Sequence, residues 1–364
     1  MYNISLITGD GIGPELSESA ISILETLHDK LDVKTKINSI EAWDAALAKY
    51  GHALPTDSFE SIKSSDACLK APVGESAADV IVVLRRKLDL YANIRPAKSY
   101  PNTTSLRNDI DLVIVRENTE DLYTGQEFEL DGSAVAMRII TEKASKRIAK
   151  HAFEIAIQRN QKKRVTCVHK SNVMKKTDGL FSKCCDSIAN DFPEISFDQM
   201  YVDACSMNLI RNPHEFDVIV TTNLFGDILS DESSQVVGGL GMAPAANLGD
   251  NFGLFEPVHG AAFDIAGKNI ANPTSFILSI KMMLEWLGNR NNDQNSLTTA
   301  KKLEQSVLEL IKSGISTKDI GGTMSTREFT HEIINKLIWI YKSFNVFKSN
   351  WSSKILFSGK QFNM

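Results

Sequence analysis

The chain has 364 residues, with 40 Lys+Arg against 45 Asp+Glu and a formal net charge of −5. Hydrophobic residues at 43% and charged residues at 23% describe a globular protein of about two domains, and exclude disordered, collagenous and disulfide-scaffold classes. The mildly acidic balance argues against a general nucleic-acid binder.

Residues 4–7 read as a short β-strand. The glycine-rich turn Gly9-Asp10-Gly11-Ile12-Gly13 follows, then a helix from about Pro14. The spacing is not GxGxxG, so the turn is a weak dinucleotide fingerprint and serves equally well as a structural strand–turn–helix. Residues 112–115, 165–168 and 218–220 are further short apolar strands. Between the first two, residues 124–141 carry an Asp131-Gly132 turn between alternating runs, which reads as a hairpin or arm. Residues 144–159 place Ile148, Ala152, Ile155 and Ala156 at helical spacing, and residues 180–188 read as helix. Strands alternating with helices predict an α/β protein with a mostly parallel sheet.

Cys68, Cys167, Cys184, Cys185 and Cys205 form no CxxC pair. They read as buried free thiols of a reducing compartment. The N-terminus lacks a signal-peptide pattern, and no stretch reaches the ~18 apolar residues of a membrane span, so a cytoplasmic location is expected. Residues 341–364 differ from the rest. Lys342, Lys348, Lys354 and Lys360 interleave with Tyr341, Phe344, Phe347, Trp351, Phe357 and Phe362, without one acid. This is a packed or partly disordered extension, or a segment for a membrane surface or partner.

Four constellations carry candidate chemistry. The glycine turn is the first. The second is Arg85 and Arg95 in LRRKLDLYANIRPAK, with Arg116 opening RENTEDLYTG; such guanidinium forks together suit a di- or tricarboxylate, while each alone is ordinarily a surface ion pair. The third is NLFGDILSD, where Asp227 and Asp231 at i, i+4 share a helix face. They repel unless a cation sits between them. Their oxygens suit Mg²⁺ or Mn²⁺, and Asp203 is a possible further ligand. The fourth is the small-residue loop from Glu256 through His259, Asp264 and Ile265 to Asn272, plausible for a nucleotide.

Taken in order and with matching gaps, GDGIGPE, LRRKLDLYANIRP, RENTEDLYTG, HKSNVM, TTNLFGDILSD, EPVHGAAFDIAGKNIANP and DIGGTMST resemble the β-decarboxylating dehydrogenases. This is the family of isocitrate, 3-isopropylmalate and homoisocitrate dehydrogenases, and the resemblance covers roughly residues 2–340. GESAADVIVVLR and VHGAAFDIAGKNI are most similar to its archaeal isopropylmalate branch.

The resemblance implies an α/β fold that is not a Rossmann fold, with two lobes sharing one large mixed sheet. Residues 1–98 plus 253–340 would form the cofactor lobe, and 99–252 the dimerisation and metal lobe. Residues 341–364 lie beyond the family's usual end. It implies a homodimer or homotetramer with shared sites, in which the 124–141 arm pairs with its partner's.

Carried over by motif, Arg85, Arg95 and Arg116 would hold substrate carboxylates, and Tyr123 and Lys170 would be catalytic. Asp203, Asp227 and Asp231 would hold Mg²⁺ or Mn²⁺. Asn172, Glu256, His259, Gly260, Asp264, Ile265 and Asn272 would contact the cofactor. Lys170, Asn172 and Asp203 would serve the neighbouring subunit. Asp264 would accept from a ribose 2′-OH and repel a 2′-phosphate, favouring NAD.

Substrate choice rests on the residues before Arg85. Isocitrate enzymes resemble one another in placing Ser and Asn where this chain has Asp79 and Ile81. Asp79 would repel the extra carboxylate. Ile81 and Val82, with Val173 from the partner, would suit an isopropyl group. Ile81 and Val82 as plain helix core is the competing reading. Homoisocitrate or isocitrate oxidation is the alternative activity, with Arg86 available to a longer carboxylate. A non-catalytic regulatory subunit is the alternative from another class, opposed by the intact Tyr123, Lys170, Asp227 and Asp231.

Overall fold

The computed structural model describes residues 1–74 and 77–356, without the side chains of residues 45, 77–79 and 344–356. The side chain of Asp79 and those of the tail beyond Ser343 therefore lie outside the described residues, as do residues 357–364 altogether.

The chain begins β1 (Tyr2–Ile7), α1 (Gly13–Lys30), β2 (Thr35–Ile40), α2 (Trp43–Tyr50), α3 (Thr56–Lys63), β3 (Ala67–Lys70), α4 (Ala77–Lys87), β4 (Ala92–Lys98) and β5 (Asp111–Glu117). The arm is β6 (Glu127–Leu130) and β7 (Ser133–Ala136). Next come α5 (Glu142–Arg159), β8 (Arg164–His169), α6 (Thr177–Ala189), β9 (Ser196–Tyr201), α7 (Val202–Arg211), β10 (Val218–Thr221) and α8 (Asn223–Val236). The chain closes with β11 (Pro244–Leu248), β12 (Gly253–Pro257), α9 (Thr274–Asn291), α10 (Gln294–Lys312) and α11 (Thr326–Leu356). Asp131 and Gly132 turn the arm with positive φ of 45° and 78°, as a two-residue hairpin requires.

Ten strands form one sheet in the order β2-β1-β3-β12-β11-β4-β5-β10-β8-β9. Most ladders are parallel, as the strand–helix alternation predicts. The three central ones, β12–β11, β11–β4 and β4–β5, are antiparallel. This is the one large mixed sheet expected, and it departs from the parallel Rossmann order.

Register decides which side chains share a face. Arg116 stands opposite Asn93, Asn93 opposite Asn247, and Asn247 opposite Leu254. Facing residues project the same way and alternate along each strand. One face thus carries Arg116, Asn93, Arg95, Asn247, Glu256 and Lys70. The other carries Val113, Val115, Ile94, Ala246, Phe255, Leu69 and Leu6, all in one continuous apolar core covered by helices such as α1, α5, α9 and α10.

The polar face has two separate cores instead. One gathers Ile7, Trp43, Cys68, Leu84 and Leu254, and the other Ala97, Leu112, Ile114, Val168, Ile219 and Leu229. The polar row fills the gap between them. One uninterrupted core backs the sheet on one side, and the interrupted face leaves a seam where charged groups meet.

Candidate active site

Arg116 is the penultimate residue of β5, and its side chain is 1% exposed. Its Nε donates to Asn223 Oδ1 at 2.9 Å, and its Nη1 pairs with Asp227, which also accepts from the Tyr123 hydroxyl. Arg95 on β4 stands 3.8 Å from Asp227 and 3.5 Å from Asp231. A guanidinium thus lies beside the two aspartates of α8, resolving the repulsion their i, i+4 spacing implies. Gly226 makes room for this packing: a Cβ there would stand 2.5 Å from the Arg116 Cγ.

Arg85, in the last turn of α4, donates Nε to Asn247 Oδ1 at 3.0 Å and lies 3.5 Å from Glu256. Lys70 lies 2.7 Å from Glu256. Burial pulls the Arg85 guanidinium down to about 10, against the pull of Glu256, and Arg116 and Arg95 lower it further. Burial opposes ionisation of Glu256, but Lys70 and Arg85 outweigh it and hold its carboxyl at about 2. Asn93 donates to both Asn118 and Asn247, closing the network.

One donor is left over. Arg116 Nη2 is buried and has no hydrogen-bond partner among the described residues. A buried unsatisfied donor costs about 1–3 kcal/mol, more when charged. An anionic ligand in the seam would satisfy it.

Burial also opposes the charge on Asp227, but Arg116, Tyr123 and Arg95 hold its carboxyl below the usual range. Burial and the Asp227 hydrogen bond raise the Tyr123 hydroxyl, keeping it protonated. Asp227 and Asp231 have the hard oxygens that Mg²⁺ or Mn²⁺ takes. Among the described residues, no three potential metal ligands gather in one chain. The pair offers the one or two carboxylates by which such a cation is ordinarily held, the rest of its shell being water, substrate or a second copy's oxygen.

Lys170 follows β8, and its backbone N–H donates to Asp178 Oδ2 at 2.6 Å. Its ammonium pairs with Asp203 in the first turn of α7, and the two side chains are 24% and 64% exposed. Lys170 holds the Asp203 carboxyl below its ordinary range. Asn172 and Val173 beside them are exposed. β8 and β9 lie at the sheet's edge, so this group faces outward, apart from Asp227.

The fourth constellation divides. Glu256 belongs to the arginine network, because its strand position points to the polar face. Ile265 packs on the large core, and Asn272 donates to Asp319 at 3.0 Å in DIGGTMST. Gly260 and Asp264 are exposed, and His259 is half-buried, with burial lowering its pKa. The glycine turn seats this loop. Ile12 N donates to Ala261 O at 2.8 Å, and Glu15 accepts from Asn269 and Ala271. Gly11 has φ +58°, and a Cβ there would stand 2.1 Å from Ala261 O.

Ile81 and Val82 are half-buried on α4, and Ile81 packs on the core around Trp43. All five cysteines are buried free thiols, as expected. Lys70, Asn93, Asn118 and Asn247 escape the sequence reading. For Lys70, Asn93 and Asn247 the one signal is a polar residue inside an apolar strand run, as in AlaCysLeuLys and ProAlaAlaAsnLeu; Asn118, after β5, carries none.

The isocitrate/isopropylmalate dehydrogenase family model matches residues 3–334. The chain is 51% identical to the 3-isopropylmalate dehydrogenase of Sulfurisphaera tokodaii over 338 residues, covering 92% of this chain and 99% of that one. It is 43% identical to a homoisocitrate dehydrogenase of Methanocaldococcus jannaschii, covering 92% and 97%. The crystal structure of isocitrate dehydrogenase from Methylococcus capsulatus superposes with a TM-score of 0.86 at 40% identity, covering 93% and 100%. With the shared-sheet fold and the arginine–aspartate seam, these matches show that the chain belongs to the isocitrate/isopropylmalate dehydrogenase family.

Proposed function

We propose that the chain is an NAD-dependent dehydrogenase of leucine biosynthesis that oxidatively decarboxylates 3-isopropylmalate to 4-methyl-2-oxopentanoate. The observation that carries this reading is the seam itself: Arg85, Arg95 and Arg116 converge beside Asp227 and Tyr123, with Arg116 Nη2 lacking an acceptor. The higher identity to an isopropylmalate enzyme than to a homoisocitrate enzyme supports the choice of substrate. Arg86, the residue that would favour a longer carboxylate, is exposed. Ile81 and Val82, with Val173 of a second copy, would receive the isopropyl group.

In the mechanism that follows, the three arginines hold the two carboxylates of the substrate. When bound, NAD supplies the hydride acceptor, and a Mg²⁺ or Mn²⁺ held by Asp227, Asp231 and a second copy's Asp203 supplies a Lewis acid. Lys170 of the second copy takes the C2 hydroxyl proton as C2 is oxidised. The 2-keto group is then β to a carboxylate, which leaves as CO₂. Tyr123, kept protonated by burial and Asp227, returns a proton to the carbon left behind.

Asn172, His259, Gly260, Asp264, Ile265 and Asn272 form the proposed cofactor side, with Glu256 joining it to the arginines. The proposed lobes are residues 1–98 plus 253–340 and residues 99–252, with β4 at the seam. A homodimer or homotetramer would bring Lys170 and Asp203 to a neighbour's seam. The exposed Phe128, Leu130, Val135 and Met137 of the arm support that association. No described helix is long and apolar enough to cross a membrane. The buried thiols favour a reducing, cytoplasmic location.

NADH formation measured in parallel with isopropylmalate, isocitrate, homoisocitrate and malate tests the reading. The highest kcat/KM is expected for isopropylmalate, and activity on isocitrate alone refutes it. A preference for NADP over NAD refutes the role of Asp264.

A further inference from the structure

We infer that Arg138, at the base of the arm, is a positioning residue that sets the Tyr123, Asp227 and Lys170 segments against one another. This inference rests on the roles proposed above for those three residues. Arg138 follows β7, and its side chain is only 11% exposed. Its Nε donates to Asp121 Oδ1 at 2.6 Å and its Nη2 to Asp121 Oδ2 at 3.2 Å. Nη2 also donates to Thr222 Oγ1 at 2.7 Å. Nη1 lies 2.7 Å from Asp178 Oδ1 and touches the Met174 sulfur. The guanidinium stacks 4.6 Å from the Phe225 ring.

These contacts reach each segment that delivers a candidate catalytic group. Asp121 stands two residues before Tyr123, and its carboxylate also accepts from Leu122 N and Leu224 N. It thus holds the Tyr123 turn and the first turn of α8, the helix of Asp227. Thr222 is the N-cap residue just before α8. Asp178 accepts the backbone N–H of Lys170. One planar fork therefore spans the Tyr123 turn, the start of α8 and the Lys170 loop.

Backbone strain points the same way. Asp121 has φ 72° and ψ −147°, a conformation that a non-glycine residue keeps only where its surroundings over-determine it. Arg138 supplies two of the bonds that do so, and Asp121 N donates to Ile139 O beside it at 2.8 Å. Asp121 and Asp178 are both fully buried, so neither can turn to water if the guanidinium is removed. A lysine could not span both carboxylates, because an ammonium is a point charge and not a fork.

The test compares Arg138→Met, Arg138→Ala and Arg138→Lys with the parent in steady-state assays with isopropylmalate and NAD. Arg138→Met is expected to lower kcat about 100-fold, the cost of displacing reacting groups by about 1 Å, with KM changed less than about threefold. In Arg138→Ala, whose short side chain leaves room for the ion, guanidinium added to the assay is expected to restore about tenfold of the loss in kcat, a rescue that a general loss of folding would not show. Arg138→Lys keeps the positive charge, so it is expected to fold, with a lowered melting temperature and kcat down about tenfold, which keeps the test open if Arg138→Met does not fold. Parent-like kcat in any folded variant, or loss in folded Arg138→Ala without guanidinium rescue, overturns the inference. Lys170→Met run alongside separates the two claims. If it stays active, the proposed catalytic roles fail; if it is inactive while the Arg138 variants are active, only the role of Arg138 fails.

Discussion

The arginine–aspartate seam is built on the central strands and α8, and the Lys170–Asp203 pair lies beyond β10, after β8 and on α7; they differ in what surrounds them. In the seam, Arg85, Arg95, Arg116, Lys70 and Glu256 are buried, so the chain must compensate their charge internally. It does so through Asp227, Asn93 and Asn247. The Lys170–Asp203 pair is open to solvent at the sheet's edge, where an ion pair adds little to stability. The seam is thus bound up with folding, while the outer pair is free to serve a site elsewhere. The contrast teaches that two groups proposed to share one reaction need not have equal structural weight.

Substitutions at the two places should therefore separate activity from stability. The largest effect is expected for Lys170→Met, which should lower kcat by about 1,000-fold, within the range of general acid–base catalysis, and leave the melting temperature near that of the parent. A large fall in melting temperature would show that the outer pair is structural after all.

Glu256→Gln is the converse. It leaves Lys70 and Arg85 buried without their shared carboxylate, and should cost about 3 kcal/mol in chemical denaturation. Little change in the denaturation midpoint would mean that solvent reaches the seam.

The pH dependence sharpens the same point. Glu256 is held at about 2, below the ordinary 4.5, so its contribution is complete above the ordinary value and is lost as pH falls toward 2. Stability of the parent should fall over that window, and Glu256→Gln should fall less steeply. Parallel acid-denaturation curves would exclude Glu256 as a source of the dependence.

The smallest effect is expected at Gly226. Replacing a helical glycine with alanine ordinarily stabilises by about 1 kcal/mol. Here the new Cβ meets the Arg116 side chain, so Gly226→Ala should instead destabilise by about 1–2 kcal/mol and raise KM for the hydroxy acid. A gain in stability with unchanged KM would show that Arg116 moves aside without consequence.

Much of this was written locally in the sequence. The Asp131-Gly132 turn predicts the arm because only a few residue pairs tolerate two successive positive φ values. Asp227 and Asp231 share a face because a helix repeats every 3.6 residues. The arginines, Tyr123 and Lys170 are legible because their motifs occur in order, with matching gaps. The glycine turn fits two readings by sequence, and in the fold it seats the loop around Ala261.

What only the tertiary structure decided is long-range. The order of ten strands places β11 beside β4, and that register turns Asn93, Asn247 and Glu256 onto the face of Arg116. Lys70 reaches Glu256 from β3, some 186 positions earlier in the chain. Arg138 gains its partners from three separate segments. Sequence alone determined which groups exist and which way they alternate, since periodicity is a property of neighbouring residues. It could not determine which groups meet, because strand pairing is settled by burial and hydrogen bonding across the whole sheet.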